Sequence, residues 1–206
     1  VRSLQGFSQT RAQRENGNTA FLAAGLTAHL PDNPALADFQ NLTFSRQLQT
    51  QPTTTRIPAF SVAGLAVRTR NSEETDPGTA RIGSLWDRFF SQSWERKLPG
   101  RGEDGRIFGV YSGYESDEHG AFDVTAGVAV AEALATPVPG TVRVDVQPGD
   151  YLVFTGQGSM PQMVIETWGE IWRYFAENPQ VRRRFGTDFE AYEGPDRVAI
   201  HIGVVA

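Results

Sequence analysis

The sequence contains no cysteine, which excludes a disulfide framework, a thiolate nucleophile and any cysteine-ligated metal. Histidine is nearly as scarce. His29, His119 and His201 lie far apart and show no i, i+4 ligand spacing, so neither a metal site nor another cofactor is expected. No apolar run approaches the roughly 18 to 20 residues that cross a bilayer as a helix, and the first residues lack a basic segment leading into an apolar one. A soluble, cytoplasmic chain with no membrane partner is the expectation. The chain does not open on Met, so the sequence is expected to start downstream of a translation start. A basic surplus is missing too. The formal net charge of -5 argues against direct nucleic-acid binding, because phosphates are gripped by clustered Lys and Arg. The one basic run, Arg182-Arg183-Arg184, falls at a predicted helix end, where cations complement the macrodipole and a solvated terminus is expected.

What is present reads as a globular protein. Apolar residues make up 39% and charged residues 21%, enough over 206 residues for one sizeable core or two small ones. Residues 1–57 form a polar N-terminal extension rich in Gln, Thr, Asn and Arg. Within it, residues 19–26 hold a short apolar-periodic piece, stopped before Pro31, that predicts a helix. Residues 47–55 have the composition of an unstructured tether. A two-helix DNA reader would need a pair of amphipathic helices and a basic face, and the extension offers neither.

From Pro58 the pattern sharpens. Residues 60–67 predict a strand, residues 71–78 a loop dense in acidic and turn residues, and Ile82, Leu85, Trp86, Phe89 and Phe90 recur at helical spacing. That helix ends by Pro99, and strands follow at 107–114 and 122–130. A joint, Thr136-Pro137-Val138-Pro139-Gly140, and a strand at 142–146 lead into a second round. Its parts are a turn at Pro148-Gly149-Asp150, a strand at 151–155, a helix at 160–178 and strands at 189–192 and 198–205. In that second helix Val164, Trp168, Ile171, Trp172 and Phe175 keep the helical period. The order strand, helix, strand, strand thus occurs twice, over about 58–135 and 140–206. Neither half has the apolar surface to stand alone, and the joint between two such halves is a natural place for a ligand pocket.

The stretch Asp188-Phe189-Glu190-Ala191-Tyr192 carries the functional signal. Alternation in a strand puts Phe189 and Ala191 on one face and Glu190 and Tyr192 on the other. A carboxylate beside an aromatic ring suits an organic cation, which the ring face attracts by about 0.5–2 kcal/mol per contact. The plain alternative is a solvated edge strand with an ordinary surface Glu. Other aromatics cluster on the strands: Phe108, Tyr111 and Tyr114 in the first half, Tyr151 and Phe154 in the second. By alternation Tyr111 shares a face with Ile107 and Gly109, and Tyr114 lies on the other, so lining one cleft with both requires a bulge. Gly109 and Gly113 shrink the surface beside these rings and leave room for a ligand.

Phe60-Ser61-Val62-Ala63-Gly64-Leu65 with Arg68-Thr69, Leu85-Trp86-Asp87-Arg88-Phe89, Val110-Tyr111-Ser112-Gly113-Tyr114-Glu115-Ser116, Gly149-Asp150-Tyr151-Leu152-Val153-Phe154 and Asp188-Phe189-Glu190-Ala191-Tyr192 stand in an order that resembles the integron-cassette effector-binding proteins. These belong to the wider gyrase-inhibitor-like and AraC-type effector-binding superfamily. The resemblance covers about 58–206. It implies an α+β fold of duplicated strand-helix-strand-strand modules with pseudo-twofold symmetry, its curved antiparallel sheets set around a central cleft backed by two helices. It further implies that the cleft holds lipophilic, often cationic, compounds between rings over an acidic base. Carried over by motif, Glu190 is that acid, Tyr192, Tyr111 and Tyr114 are strand aromatics, and Trp86 and Trp168 are helix aromatics, with Phe154 a further ring candidate.

Three readings of function follow. The first is a stand-alone effector-binding domain for a lipophilic, cationic aromatic ligand, serving drug or xenobiotic sensing or transcription regulation, with a regulator partner or a second copy. In the second, Glu190 is the general base of a hydrolase acting on a strained electrophile, with a Tyr as weak acid. The third makes the acidic segment Glu73-Glu74-Thr75-Asp76 and the turn Asp117-Glu118 a mimic of DNA, against the ordinary expectation of a solvated acidic surface.

Overall fold

The computed structural model describes residues 51–98, 105–131 and 138–205. The predicted helix at 19–26, Thr136 and Pro137 of the joint, and all but the last few residues of the extension lie outside these. Among the described residues the strands are β1 Thr53–Ile57, β2 Phe60–Thr69, β3 Ile107–Ser112, β4 Phe122–Val130, β5 Val142–Val146, β6 Gly149–Gln157, β7 Asp188–Tyr192 and β8 Arg197–Gly203. The helices are α1 Asn71–Glu74, α2 Ile82–Ser91, α3 Trp94–Lys97 and α4 Gln162–Glu177. No described helix is long and apolar enough to cross a membrane.

All eight strands form one antiparallel sheet in the order β1-β6-β8-β7-β3-β4-β2-β5. The order is symmetric about the β7–β3 pair. Strands β2, β3 and β4 with α2 correspond to β6, β7 and β8 with α4, which is the expected duplicated strand-helix-strand-strand fold. Each module is also preceded by a strand that crosses to the other half: β1 leads into β2 but pairs with β6, and β5 leads into β6 but pairs with β2. Two residues separate Ile57 from Phe60, and likewise Val146 from Gly149, so each link of three Cα steps spans at most roughly 11 Å. The two edges of the sheet are thereby drawn toward each other. That is the physical origin of the curvature.

Three expectations change. The sheet begins at Thr53 and not at Pro58, because the polar run Thr53-Thr54-Thr55 of the predicted tether pairs with β6. Gly149 and Asp150 belong to β6 and not to a turn, paired with Ile57 and Arg56. Residues 71–74 form the one-turn helix α1 within the predicted loop.

The sheet separates two apolar clusters. On one face α2 buries Ile82, Leu85 and Phe89, and α4 buries Met163, Val164, Trp168 and Ile171, against Ile107, Val124, Val128, Ile200 and Ile202. Each such side chain contributes about 1.5–3 kcal/mol by leaving water. The other cluster, built on Phe108, Val110, Tyr151, Phe189 and Ala191, contains no helical residue. Phe189 and Ala191 therefore point away from the helices, and Asp188, Glu190 and Tyr192 point toward them.

Candidate ligand-binding site

Strand β7 lies in the middle of the sheet, between β8 and β3, so the edge-strand alternative does not hold. Glu190 is 0% exposed. Its Oε1 accepts hydrogen bonds from the Tyr111 hydroxyl and the Trp168 indole N–H, both at 2.8 Å, and its Oε2 accepts one from the Tyr192 hydroxyl at 2.6 Å. All three donors are neutral. Burial raises the Glu190 pKa above its ordinary 4.5, and the hydrogen bonds from Tyr192, Trp168 and Tyr111 oppose that rise. Burial first, and then the Glu190 charge, hold the Tyr111 and Tyr192 hydroxyls well above 10.0, so both remain donors.

Local sequence makes room for this carboxylate. Glu190 pairs across the ladder with Gly109. A Cβ at position 109 would sit 2.7 Å from Glu190 Oε2 and 3.0 Å from Trp86 Cζ2. The space left by Gly109 is thus filled by Glu190 and Trp86, a correction to the expectation that it holds ligand.

Beside this node opens a narrow cleft, partly continuous with solvent. Its walls include Tyr111, Tyr114, Trp168, Trp172, Glu118 and Arg183. Tyr111 and Trp168 serve twice, as cleft wall and as the donors that hold Glu190, so their rings stand between the carboxylate and the open space. Tyr114 reaches the same side as Tyr111 without a bulge. Strand β3 ends at Ser112, and Gly113 at φ +58 turns the chain so that Tyr114 leaves the strict alternation.

A second acidic node stands two residues along β7. Asp188, 0% exposed, accepts from the Tyr114 hydroxyl at 2.7 Å, from Arg183 at 2.6 Å and from the Gly203 backbone N–H at 2.8 Å. Arg183 is not part of a solvated helix end. Helix α4 finishes at Glu177, and the Arg183 side chain, 6% exposed, lies against the rings of Phe185, Trp172 and Phe175. Burial works to lower its pKa, but the Asp188 charge prevails and raises it, so the guanidinium stays charged. The acidic segment is not uniformly solvated either. Glu74 is buried and accepts from the backbone N–H groups of Arg81 and Ile82 and from Thr69, capping α2 across a loop.

The structure brings Glu190, Tyr192, Tyr111, Trp168 and Trp86 together, with one Trp from each long helix. Trp86 and Tyr192, in edge contact at 5.4 Å, close over Glu190 from the α2 side and do not line the cleft. Tyr114 lines the cleft at the Asp188 node. Phe154 belongs to none of this. It packs on Tyr174 in the core, because its position on β6 lies two strands from β7. Sequence reasoning missed Asp188, Arg183, Trp172 and Glu74 as site residues. The available signal was Asp188 at i, i+2 from Glu190, which puts both carboxylates on one face of the strand.

Residues 54–204 match the model of the integron-associated effector binding protein family, and the chain belongs to that family, as its motifs suggest. YobU of Bacillus subtilis (strain 168), whose name calls it a candidate transcriptional regulator, is 32% identical over 148 residues, 69% of this chain and 89% of that protein. The crystal structure of the integron cassette protein VCH_CASS2, from the mobile metagenome of Vibrio cholerae, is similar at a TM-score of 0.65 and 36% identity, over 76% of this chain and 97% of that one. SAV2435 bound to tetraphenylphosphonium shares the fold at a TM-score of 0.63 and 16% identity, over 76% of this chain and 94% of that one.

Proposed function

We propose that this chain is an effector-binding domain for lipophilic aromatic cations, with Glu190 as the counter-charge and Tyr111, Trp168 and Tyr192 as the rings around it. The observation that carries the reading is a fully buried carboxylate whose hydrogen-bond partners are all neutral. Desolvating an anion costs several kcal/mol, and a hydrogen bond to a charge returns about 1.5–3 kcal/mol. A cation at 4 Å adds about 4 kcal/mol of attraction at the effective dielectric of a protein surface site. To reach that distance the guest displaces Tyr111 or Trp168 from Glu190, and its positive charge compensates the carboxylate in place of the hydrogen bond that is lost. The tetraphenylphosphonium held by SAV2435 on the same fold supports this class of guest. A place in drug sensing or transcription regulation, in the cytoplasm and with a regulator partner or a second copy, is part of the same proposal.

The hydrolase alternative has less to stand on. Tyr111 and Tyr192, pushed well above 10.0 by burial and by the Glu190 charge, are poorer acids than free tyrosine. Titrating tryptophan fluorescence with aromatic cations and with neutral isosteres of the same shape tests the proposal. Cations are expected to bind at least about tenfold more tightly, and Glu190→Gln is expected to erase the preference. Equal binding of both sets by the unaltered protein overturns the proposal. Turnover of an electrophile that stops in Glu190→Gln while binding survives would replace it with the hydrolase.

A further inference from the structure

Two residues that line the cleft each carry a buried hydrogen-bond donor with no acceptor among the described residues. These donors are the indole Nε1–H of Trp172 and the Nε–H of Arg183. The two are neighbours, the guanidinium carbon lying 5.3 Å from the Trp172 ring. An orphaned buried N–H costs about 1–3 kcal/mol, so a guest that parts the wall at these two residues is favoured when it supplies acceptors. Neither belongs to the Glu190 node, whose donors are Tyr111, Trp168 and Tyr192.

The charges around this wall decide which acceptor fits. Arg183 is already neutralised by Asp188 at 2.6 Å. Glu118, also on the cleft wall, adds a second negative charge that acts on Arg183. An anionic group entering here would meet Asp188 and Glu118 as like charges, whereas a neutral carbonyl or ether oxygen accepts from both donors without that penalty.

We infer that the cleft has a second subsite, formed by Trp172 and Arg183, which takes a neutral hydrogen-bond acceptor, so that the preferred guest is an aromatic cation carrying a carbonyl or ether oxygen away from its charged centre. This deepens the cation-binding proposal and rests on it only for the charged end of the guest.

The test uses three phosphonium probes of matched shape: (4-acetylphenyl)triphenylphosphonium, its 4-isopropenyl isostere without an acceptor, and the 4-carboxyphenyl compound, with affinities measured by titration calorimetry. The acetyl probe is expected to bind about tenfold more tightly than the isopropenyl probe, the equivalent of ~1.4 kcal/mol for one satisfied donor. The carboxylate is expected to bind more weakly than the acetyl probe. Trp172→Phe, which keeps the ring and removes the N–H, is expected to bring the acetyl-to-isopropenyl ratio close to one, while Arg183→Lys keeps the charge and lowers the ratio. Equal affinities of the acetyl and isopropenyl probes for the unaltered protein overturn the inference, as does binding of neither. Tightest binding of the carboxylate overturns the neutral-acceptor assignment. A Glu190→Gln variant that binds every probe as before refutes the role of the charge, and the acetyl-to-isopropenyl ratio still decides the subsite.

Discussion

Replacing Gly109 with Ala probes the tightest contact in the site. The added Cβ would sit 2.7 Å from Glu190 Oε2 and 3.0 Å from Trp86 Cζ2, the first closer than any relaxed carbon contact. Glu190 is 0% exposed, so its carboxylate has no solvent to retreat into. Moving it lengthens the 2.6 Å bond from Tyr192. Overpacking costs about 1–3 kcal/mol and a weakened hydrogen bond to a charge about 1.5–3 kcal/mol. Because one displacement causes both, the combined loss is about 2–4 kcal/mol, read by equilibrium urea unfolding. Glu190→Asp draws the carboxylate back by one methylene. In a double-mutant cycle the two changes should therefore show a favourable coupling of at least ~1 kcal/mol. A loss below ~0.5 kcal/mol for Gly109→Ala, or strict additivity in the cycle, would refute the contact.

Further outcomes follow from the buried charges. Glu190 has a folded pKa raised above 4.5 by burial, so the native state holds the proton longer than the unfolded one, and this group's contribution to stability falls as pH rises from 4.5 through the folded value. His201, stacked on Phe189 at 4.1 Å, has the opposite sign: burial lowers its pKa from 6.5 to about 4, so its contribution is lost as pH falls through that interval. Urea unfolding across pH 4 to 7 should therefore show stability rising more steeply with pH in Glu190→Gln than in the unaltered protein, and rising less, or falling, in His201→Phe. Parallel curves for all three proteins would contradict both assignments. Asp188→Asn leaves the Arg183 guanidinium buried without its counter-charge and should cost about 3–5 kcal/mol, measured the same way, whereas a loss below ~1 kcal/mol would show the pair to be incidental.

Much of this arrangement was legible in the residues themselves. The alternation on Phe189, Glu190, Ala191 and Tyr192 assigns faces that the two core clusters reproduce, and the aromatic stripes of α2 and α4 follow their helical spacing. What stayed hidden has a common cause: these residue types carry a stronger ordinary reading elsewhere. Thr53-Thr54-Thr55 has no apolar alternation because β1 is an exposed edge strand, held to the sheet by its ladder with β6 and not by a buried face. Glu74 and Arg183 sit in acidic and basic runs that look like surface, and only the fold supplies the helix N-terminus that one caps and the Asp188 that the other meets. Tyr114 departs from alternation at a single residue, Gly113, whose positive φ no pattern of side chains announces.

A crystal structure of the chain with tetraphenylphosphonium bound shows whether Glu190, buried with only neutral donors on its carboxylate, receives a cation. The phosphorus centre is expected over Glu190, with Tyr111 or Trp168 withdrawn from its carboxylate. A cation seated elsewhere in the cleft, with all three donors still on Glu190, would contradict that expectation.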